Sequence, residues 1–362
     1  MGVIRIGQAG CGYWGPNLLR NLLANGKCRV TTIAEASAER RQFVNSRFSG
    51  LKLRQDWRDL VVDPELDALV VATPAATHFE IARAALECRK HVLVEKPLAT
   101  TTKEVNELIR LSEQHGLVLM VGHTFIYNDA VRTLKNIIAE GELGDIVYLY
   151  SQRLNLGQLR SDVNAWWNLA PHDISIQMFV LEDEGISTVS ATGRALLQPG
   201  IEDVVMANLT WRSGVVGAIH VSWLDPHRIR RLTVVGTRKM AVYDDAGDYK
   251  LTIFEKGFDR VPRLGETMDF DAPQPSAFKI REGTVVMPYC PVREPLSVEV
   301  DHFLDCIQTG RRPKTDGRHA RAVVEVLQLA HASLREGGIL KRLDRPSVRA
   351  KGRASQATAT YP

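Results

Sequence analysis

The sequence predicts an α/β protein in two parts: a doubly wound half with a parallel sheet, then an α+β half with a large, mostly antiparallel sheet. Three observations carry this. Over residues 3–122, short apolar runs alternate with helical patterns, as in βαβ units. From residue 145 to 254, strand-like runs follow one another with few helices between them. Two helices with clear apolar stripes, 294–308 and 317–334, close the pattern.

The first strand begins at Val3 and leads into Gly10-Cys11-Gly12-Tyr13-Trp14-Gly15, a G-x-G-x-x-G loop. A helix follows with Leu18, Leu19, Leu22 and Leu23 on one face. The spacing has a mechanical reading. Gly10 makes a tight turn, Gly12 lets a pyrophosphate approach bare backbone, and Gly15 lets helix and strand pack closely. Phosphates then sit at a helix N-terminus, where free N–H groups and the dipole favour anions. Tyr13 and Trp14 belong to the same loop and count as cofactor contacts. A tight turn in an ordinary α/β protein gives the same glycines, so the surroundings matter. A second strand, 28–34, ends at Glu35, near the spacing of about 20 residues at which a carboxylate takes a ribose. Glu35 repels a 2′-phosphate and predicts NAD rather than NADP; Arg40 and Arg41 pull the other way.

Residues 38–49 read as a helix and 56–62 as a short helix or turn. Residues 66–72 are almost continuously apolar, as in a parallel strand covered on both faces. Ligands gather at the carboxyl ends of such strands, which nominates Thr73, Pro74 and His78. A helix over 79–88 leads to a strand over 91–94 ending in Glu95-Lys96-Pro97. A helix over 101–115, capped by Thr102, and a strand over 117–121 complete the first domain, residues 1–122. The second, 123–344, opens with a helix over 130–140, a strand over 145–153 and a helix over 171–181. Strands follow at 188–196, 203–211, 215–223, 230–235, 240–244 and 249–254. The proline-containing stretch 262–291 takes no assignment. Val205, Leu209, Val221 and Trp223 share strand faces that form a subunit interface or lie beneath the chain's own helices.

Composition sets the limits. The 362 residues are enough for two cores, and 44% hydrophobic with 24% charged residues is ordinary for a globular chain. The formal charge of +4, from 46 basic against 42 acidic residues, is matched by Arg345, Arg349, Lys351 and Arg353 in the tail. The remainder is balanced, so no nucleic-acid partner follows from the basic balance. The tail 345–362, rich in Ala, Ser and Thr, is expected to be disordered. Five dispersed cysteines without C-x-x-C spacing imply free thiols and a cytoplasmic setting. No metal-ligand cluster, signal peptide or membrane span is visible.

These motifs together resemble the glucose–fructose oxidoreductase/inositol dehydrogenase (Gfo/Idh/MocA) family. The carriers are the glycine loop, Thr73-Pro74-x-x-x-His78, Glu95-Lys96-Pro97, Asn168-Leu169-Ala170-Pro171-His172-Asp173-Ile174 and Asp301-His302-Phe303-Leu304-Asp305-Cys306-Ile307. The resemblance implies a Rossmann domain, bound NAD, and hydride transfer from a secondary alcohol of a sugar. It makes Lys96 the residue that touches both the nicotinamide ribose and the reacting oxygen, with Glu95 and Pro97 beside the cofactor. It makes His172 the acid/base, a role suited to an imidazole of ordinary pKa about 6.5. Where many members carry Asp, this chain has Asn168, which cannot exchange a proton, so a Lys–His pair remains. Asp173 either orients His172 or caps the helix.

The segment 154–167 resembles the branch acting on nucleotide-linked amino sugars, such as UDP-N-acetylglucosamine 3-dehydrogenases and UDP-N-acetylglucosaminuronate dehydrogenases. This nominates Arg160 and Asn164, with Tyr127, Asn168 and His172, for the substrate, and Trp166 for stacking on a ring. Surface charge and core packing explain Arg160 and Trp166 equally well. C3 of a UDP-linked hexose is the favoured position. Rival readings are an inositol or free-sugar dehydrogenase, a keto-sugar reductase, and a non-catalytic NAD-binding protein. A homo-oligomer, dimer or tetramer, assembled through the C-terminal sheet is expected.

Overall fold

Six parallel strands open the chain, and their order in space fixes where a ligand can bind. The computed structural model describes residues 2–157, 159–182, 185–260 and 278–343; the expected tail 345–362 and most of the unassigned stretch 262–291 lie outside them. In chain order the first half runs β1 (Ile4–Ala9), α1 (Gly15–Leu23), β2 (Cys28–Ala34), α2 (Ala38–Arg47), β3 (Lys52–Arg54), α3 (Arg58–Val62), β4 (Ala68–Val71), α4 (Ala75–Glu87), β5 (His91–Glu95), α5 (Thr102–His115) and β6 (Leu119–Gly122). The sheet order is β3-β2-β1-β4-β5-β6. Strand order reverses between β1 and β4, which opens a crevice at their carboxyl ends. All four residues of β4 are buried, as a strand covered on both faces requires.

The cap of α5 is Thr101, one residue before the expected Thr102. Thr101 is extended at φ −135°, and its hydroxyl accepts from Glu104 N–H while Glu104 reaches back to the Thr101 N–H. A capping box needs this spacing of three, which Thr102 does not have with an acid.

The second half continues through α6 (Asp129–Ala139), β7 (Ile146–Leu156), α7 (Ala165–Leu181), β8 (Ile186–Arg194), β9 (Val204–Trp211), β10 (Val216–Ser222), β11 (Leu224–Gly236), β12 (Met240–Asp244) and β13 (Leu251–Phe254). It ends with β14 (Gly257–Arg260), β15 (Phe278–Arg281), β16 (Val285–Val286), α8 (Pro295–Thr309), α9 (Gly317–Arg335) and β17 (Lys341–Arg342). Nine strands form one sheet, β16-β13-β12-β11-β7-β10-β9-β8-β17. Its pairs are antiparallel except β10 with β7. Helices α7 and α9 cover one face, and Val205, Leu209, Val221 and Trp223 are buried in that core. The alternative of a subunit interface at these four residues is thereby corrected: the chain's own helices cover them. The opposite face carries the exposed Tyr148, Tyr150, Met206 and Val216. Helix α8 returns to the first sheet, where Leu296, Val300 and Phe303 pack with Leu18 and Leu22 of α1. Among the described residues, no helix is long and apolar enough to cross a membrane.

Gly10 is the tightest point of the crevice. Its φ is +89°, and a Cβ there would lie 2.6 Å from the Ala72 carbonyl oxygen. Both the conformation and the clash exclude a side chain. Gly10→Ala is therefore expected to lower unfolding free energy by about 1–3 kcal/mol in denaturant titration. An unchanged midpoint would show that the turn has slack.

Candidate active site

A cavity of about 980 Å³ runs from the glycine loop across the carboxyl ends of the parallel strands to α7, β7 and β11. This lies at the upper end of the usual range for small-molecule sites, about 300–1,000 Å³. Gly12 faces open space, with nothing within 4 Å of where a Cβ would stand. Gly15 starts α1 and does not line the cavity; a Cβ there would meet the Gly10 carbonyl oxygen at 2.7 Å. The buried Gln8 side chain donates to the carbonyls of Gly10 and Gly15 and so clamps the loop ends together.

Glu35 accepts hydrogen bonds from the N–H groups of Cys11 at 2.7 Å and Ser37 at 2.9 Å. Arg40 donates to the Cys11 and Gly12 carbonyls, and Arg41 to those of Glu35 and Ala36. Both guanidiniums are thus committed to backbone. Thr73 and Pro74 line the wall beyond β4. His78 lines it too, but its ring nitrogens face the carbonyls of Pro97 at 2.7 Å and Thr73 at 2.8 Å, one of which accepts its N–H. It ties the ends of β4 and β5 together instead of offering a free hydrogen-bonding edge.

Lys96 follows β5, and its Nζ donates to the main-chain carbonyl of Asn168 at 2.7 Å. Burial lowers the Lys96 pKa, against the pull of the neighbouring Glu95 carboxylate. Burial in turn raises the Glu95 pKa, and Lys96 opposes that shift. Helix α7 is capped by Asn164, whose side chain accepts from the Trp167 N–H. Its next turns place Asn168 and His172 four residues apart, hence on one face. The His172 imidazole makes no hydrogen bond among the described residues, and its buried Nδ1 has no partner. Phe125 meets the ring edge-on at 4.9 Å. Burial first, then the charges of Lys96 and Arg153, hold His172 well below its ordinary pKa. The cavity therefore presents a lysine and a neutral imidazole to the same space.

Residues 4–123 match the family described as "Oxidoreductase family, NAD-binding Rossmann fold", and residues 131–242 match the Gfo/Idh/MocA C-terminal domain. The chain belongs to the Gfo/Idh/MocA oxidoreductase family. UDP-N-acetylglucosamine 3-dehydrogenase of Acidithiobacillus ferrooxidans is 27% identical over 261 residues, 72% of this chain and 76% of that protein. Its solved structure superposes with a TM-score of 0.75 at 23% identity, covering 93% of this chain and 99% of that one. The scyllo-inositol 2-dehydrogenase (NAD(+)) of Bacillus subtilis is 25% identical over 350 residues, 92% of this chain and 95% of that protein. GenD2 from gentamicin A biosynthesis, solved in complex with NAD, superposes with a TM-score of 0.79 at 22% identity, over 95% and 97% of the two chains.

The family fold and its residues fit NAD. The open side of Gly12 leaves room for a pyrophosphate at the start of α1, and the Glu35 carboxylate, which lines the same cavity, would meet a ribose. Four site expectations are corrected. Trp166 is fully buried and donates its Nε1 to the Leu327 carbonyl, so it stacks on no ligand; Trp167, turned by one helical step, lines the cavity. Tyr127 is buried with its hydroxyl on Thr315, away from the cavity, where Phe125 and Thr124 stand instead. Asn164 is used as the cap of α7 and as a donor to Glu202, and leaves nothing for a substrate. Asp173 pairs with Arg153 at 2.7 Å and does not orient His172. Arg160 does line the cavity, paired two-toothed with Asp162.

Gln55 and Trp57 also line the cavity, with Arg58 stacked 4.4 Å over the Trp57 ring. They follow the short β3, so the rule of carboxyl-end ligands points to them once that strand is recognised. Arg40 and Arg41 spend their donors on backbone carbonyls, so the Glu35 carboxylate rather than their forks meets this end of the cavity. Calorimetry of the purified family member is expected to show NAD bound at least about tenfold more tightly than NADP. Equal dissociation constants would remove the carboxylate's role.

Proposed function

We propose that this oxidoreductase is an NAD-dependent dehydrogenase acting on a secondary alcohol of a sugar, with C3 of a UDP-linked hexose as the favoured position. The observation that carries this is the joint presence of Lys96 and an unpartnered, neutral His172 in one cavity with the glycine loop. Similarity to a UDP-N-acetylglucosamine 3-dehydrogenase supports the nucleotide-linked substrate. The longer match, to scyllo-inositol 2-dehydrogenase, keeps a free polyol as the rival substrate.

When bound, NAD supplies the hydride acceptor at its nicotinamide ring. The chain's own residues do the rest. Lys96 donates to the carbinol oxygen, lowers its pKa and stabilises the developing alkoxide. His172 takes the hydroxyl proton on its ring nitrogen as the C–H bond breaks. Asn168 acts through its main-chain carbonyl, which fixes the Lys96 amine, so no carboxylate is needed between Lys96 and His172. Thr124 and Trp167 wall the pocket. An idle binding protein has no use for a lysine and an imidazole held at this cost of burial.

The open sheet face bearing Tyr148, Tyr150, Met206 and Val216 is the surface offered to a second copy of the chain. All five cysteines are free thiols, in keeping with work in a reducing compartment such as the cytoplasm.

Incubation with NAD and a panel of nucleotide sugars and free polyols, with 2-oxoglutarate added to reveal a cofactor that recycles in place, tests the activity by NADH absorbance. No turnover on any sugar alcohol would end this reading. His172→Ala and Lys96→Met are each expected to lower kcat by about 10²–10⁴-fold. Near-normal turnover of either variant would remove that residue's role.

The pH profile follows from the two shifts. His172 must be neutral to accept a proton, and its pKa is lowered, so the acid limb falls below about 6.5. Lys96 must be charged, and its pKa is lowered, so the alkaline limb falls below about 10.4. A kcat/KM profile with limbs at the free-residue values would contradict both assignments.

A further inference from the structure

At the sugar end of the cavity each arginine faces one carboxylate, but Arg230 is held far more loosely than the others. Arg153 of β7 and Arg230 of β11 stand directly opposite each other in the antiparallel ladder, and both line the cavity. Like charges so placed repel, and a sheet gains nothing by keeping them. Arg153 is answered from within: Asp173 of α7 accepts from its Nε at 2.7 Å and its Nη2 at 3.4 Å. Arg160 is answered by Asp162 at 2.8 and 2.7 Å. Arg230 is answered by a single longer contact: its one side-chain hydrogen bond among the described residues, which is also its ion pair, runs from Nη1 to Asp245 at 3.3 Å, and Asp245 lines the cavity beside it. The same Asp245 also accepts from the Tyr243 hydroxyl. A guanidinium has five N–H donors in a planar fork, so most of the Arg230 fork stays open. Burial, then Arg153 and the nearby Arg228, disfavour its charged form. Its charge is also felt at His172, which places it beside the reacting end of the cavity.

We propose that Arg230 is an anion-recognition residue, and that the substrate carries an oxyanion, a ring carboxylate or a diphosphate, that completes the Arg230 fork. This rests on the reading of the cavity as that of a sugar dehydrogenase and narrows its substrate to an anionic sugar. The fork geometry suits a two-toothed carboxylate or phosphate better than a neutral hydroxyl. The repulsion across the ladder is then relieved when substrate arrives, and it contributes to affinity.

Calorimetry on the NAD-loaded full chain tests this with four probes. UDP-N-acetylglucosaminuronate carries carboxylate and diphosphate, UDP-N-acetylglucosamine diphosphate alone, glucuronate carboxylate alone, and myo-inositol neither. In the wild type at least one anionic probe is expected to bind about tenfold or more tightly than myo-inositol, and inorganic phosphate is expected to compete with it. Arg230→Gln is expected to weaken that probe about 10- to 100-fold, with Arg230→Lys weakening it less and NAD and myo-inositol unaffected. The probe most affected identifies carboxylate or diphosphate as the source.

Without ligand, Arg230→Gln is expected to melt at the same temperature as wild type or higher, because removing the like-charge pair offsets the loss of the long, partly exposed contact with Asp245. A lower melting temperature marks Arg230 as a structural brace and overturns the proposal. So does equal weakening of neutral and anionic probes, or myo-inositol binding as tightly as every anion. Turnover of myo-inositol with no preference for anions would overturn this inference and leave the dehydrogenase reading standing. Tight anion binding without turnover of any probe would do the reverse.

Discussion

One hydrogen bond joins the two halves of this site at the reacting end: Lys96 Nζ to the Asn168 carbonyl at 2.7 Å. It runs from the end of a parallel strand to a helix of the second half. Lys96 inherits its position from β5, and His172 inherits its own from α7, one turn beyond Asn168. A buried ammonium is costly, and this one is offset by a carbonyl and by the adjacent Glu95. The cost has a chemical use, since a poorly solvated ammonium interacts more strongly with a developing alkoxide.

The same burial decides the protonation of His172. Lys96, Arg153 and Arg230 surround an imidazole with no internal partner, and all three disfavour its cation. A neutral base beside a field of positive charge suits alcohol oxidation. The field favours the developing alkoxide, and the imidazole is ready to take the proton. Asn168 fits this arrangement without a carboxylate, because its backbone oxygen, not its side chain, meets Lys96. Behind the site, Glu299 is fully buried on Thr124 with its pKa raised by burial and by Glu95. Glu299 is therefore kept neutral while Glu95 faces the ammonium.

Much of the architecture was legible in the sequence because its signals are local. The glycine loop, the apolar run of β4 and the Glu95-Lys96-Pro97 strand end each announce their own position. The large sheet was readable from strand spacing, but its parallel β10–β7 pair was not, since register across distant strands leaves no local trace. Site residues divide the same way. Lys96, Glu35, Thr73 and His172 follow strand ends or a family motif and line the cavity. Trp166 and Trp167 are neighbours in sequence, and about 100° of helix rotation separates core from cavity, which composition cannot resolve. Tyr127 was nominated for the substrate, yet its hydroxyl found Thr315, nearly two hundred residues on in the chain. Arg230 drew no attention because its meaning lies in what stands opposite, Arg153, and not in its own neighbours.

The most direct test is a crystal structure of the His172→Ala protein with NAD and the sugar that the wild type oxidises. The carbinol oxygen is expected within about 3.2 Å of Lys96 Nζ and facing the space left by the imidazole. Its carbon is expected about 3–3.5 Å from the nicotinamide ring. A sugar seated elsewhere, or an alcohol that touches the nicotinamide while Lys96 points away, would contradict the convergence of the two side chains on one carbinol.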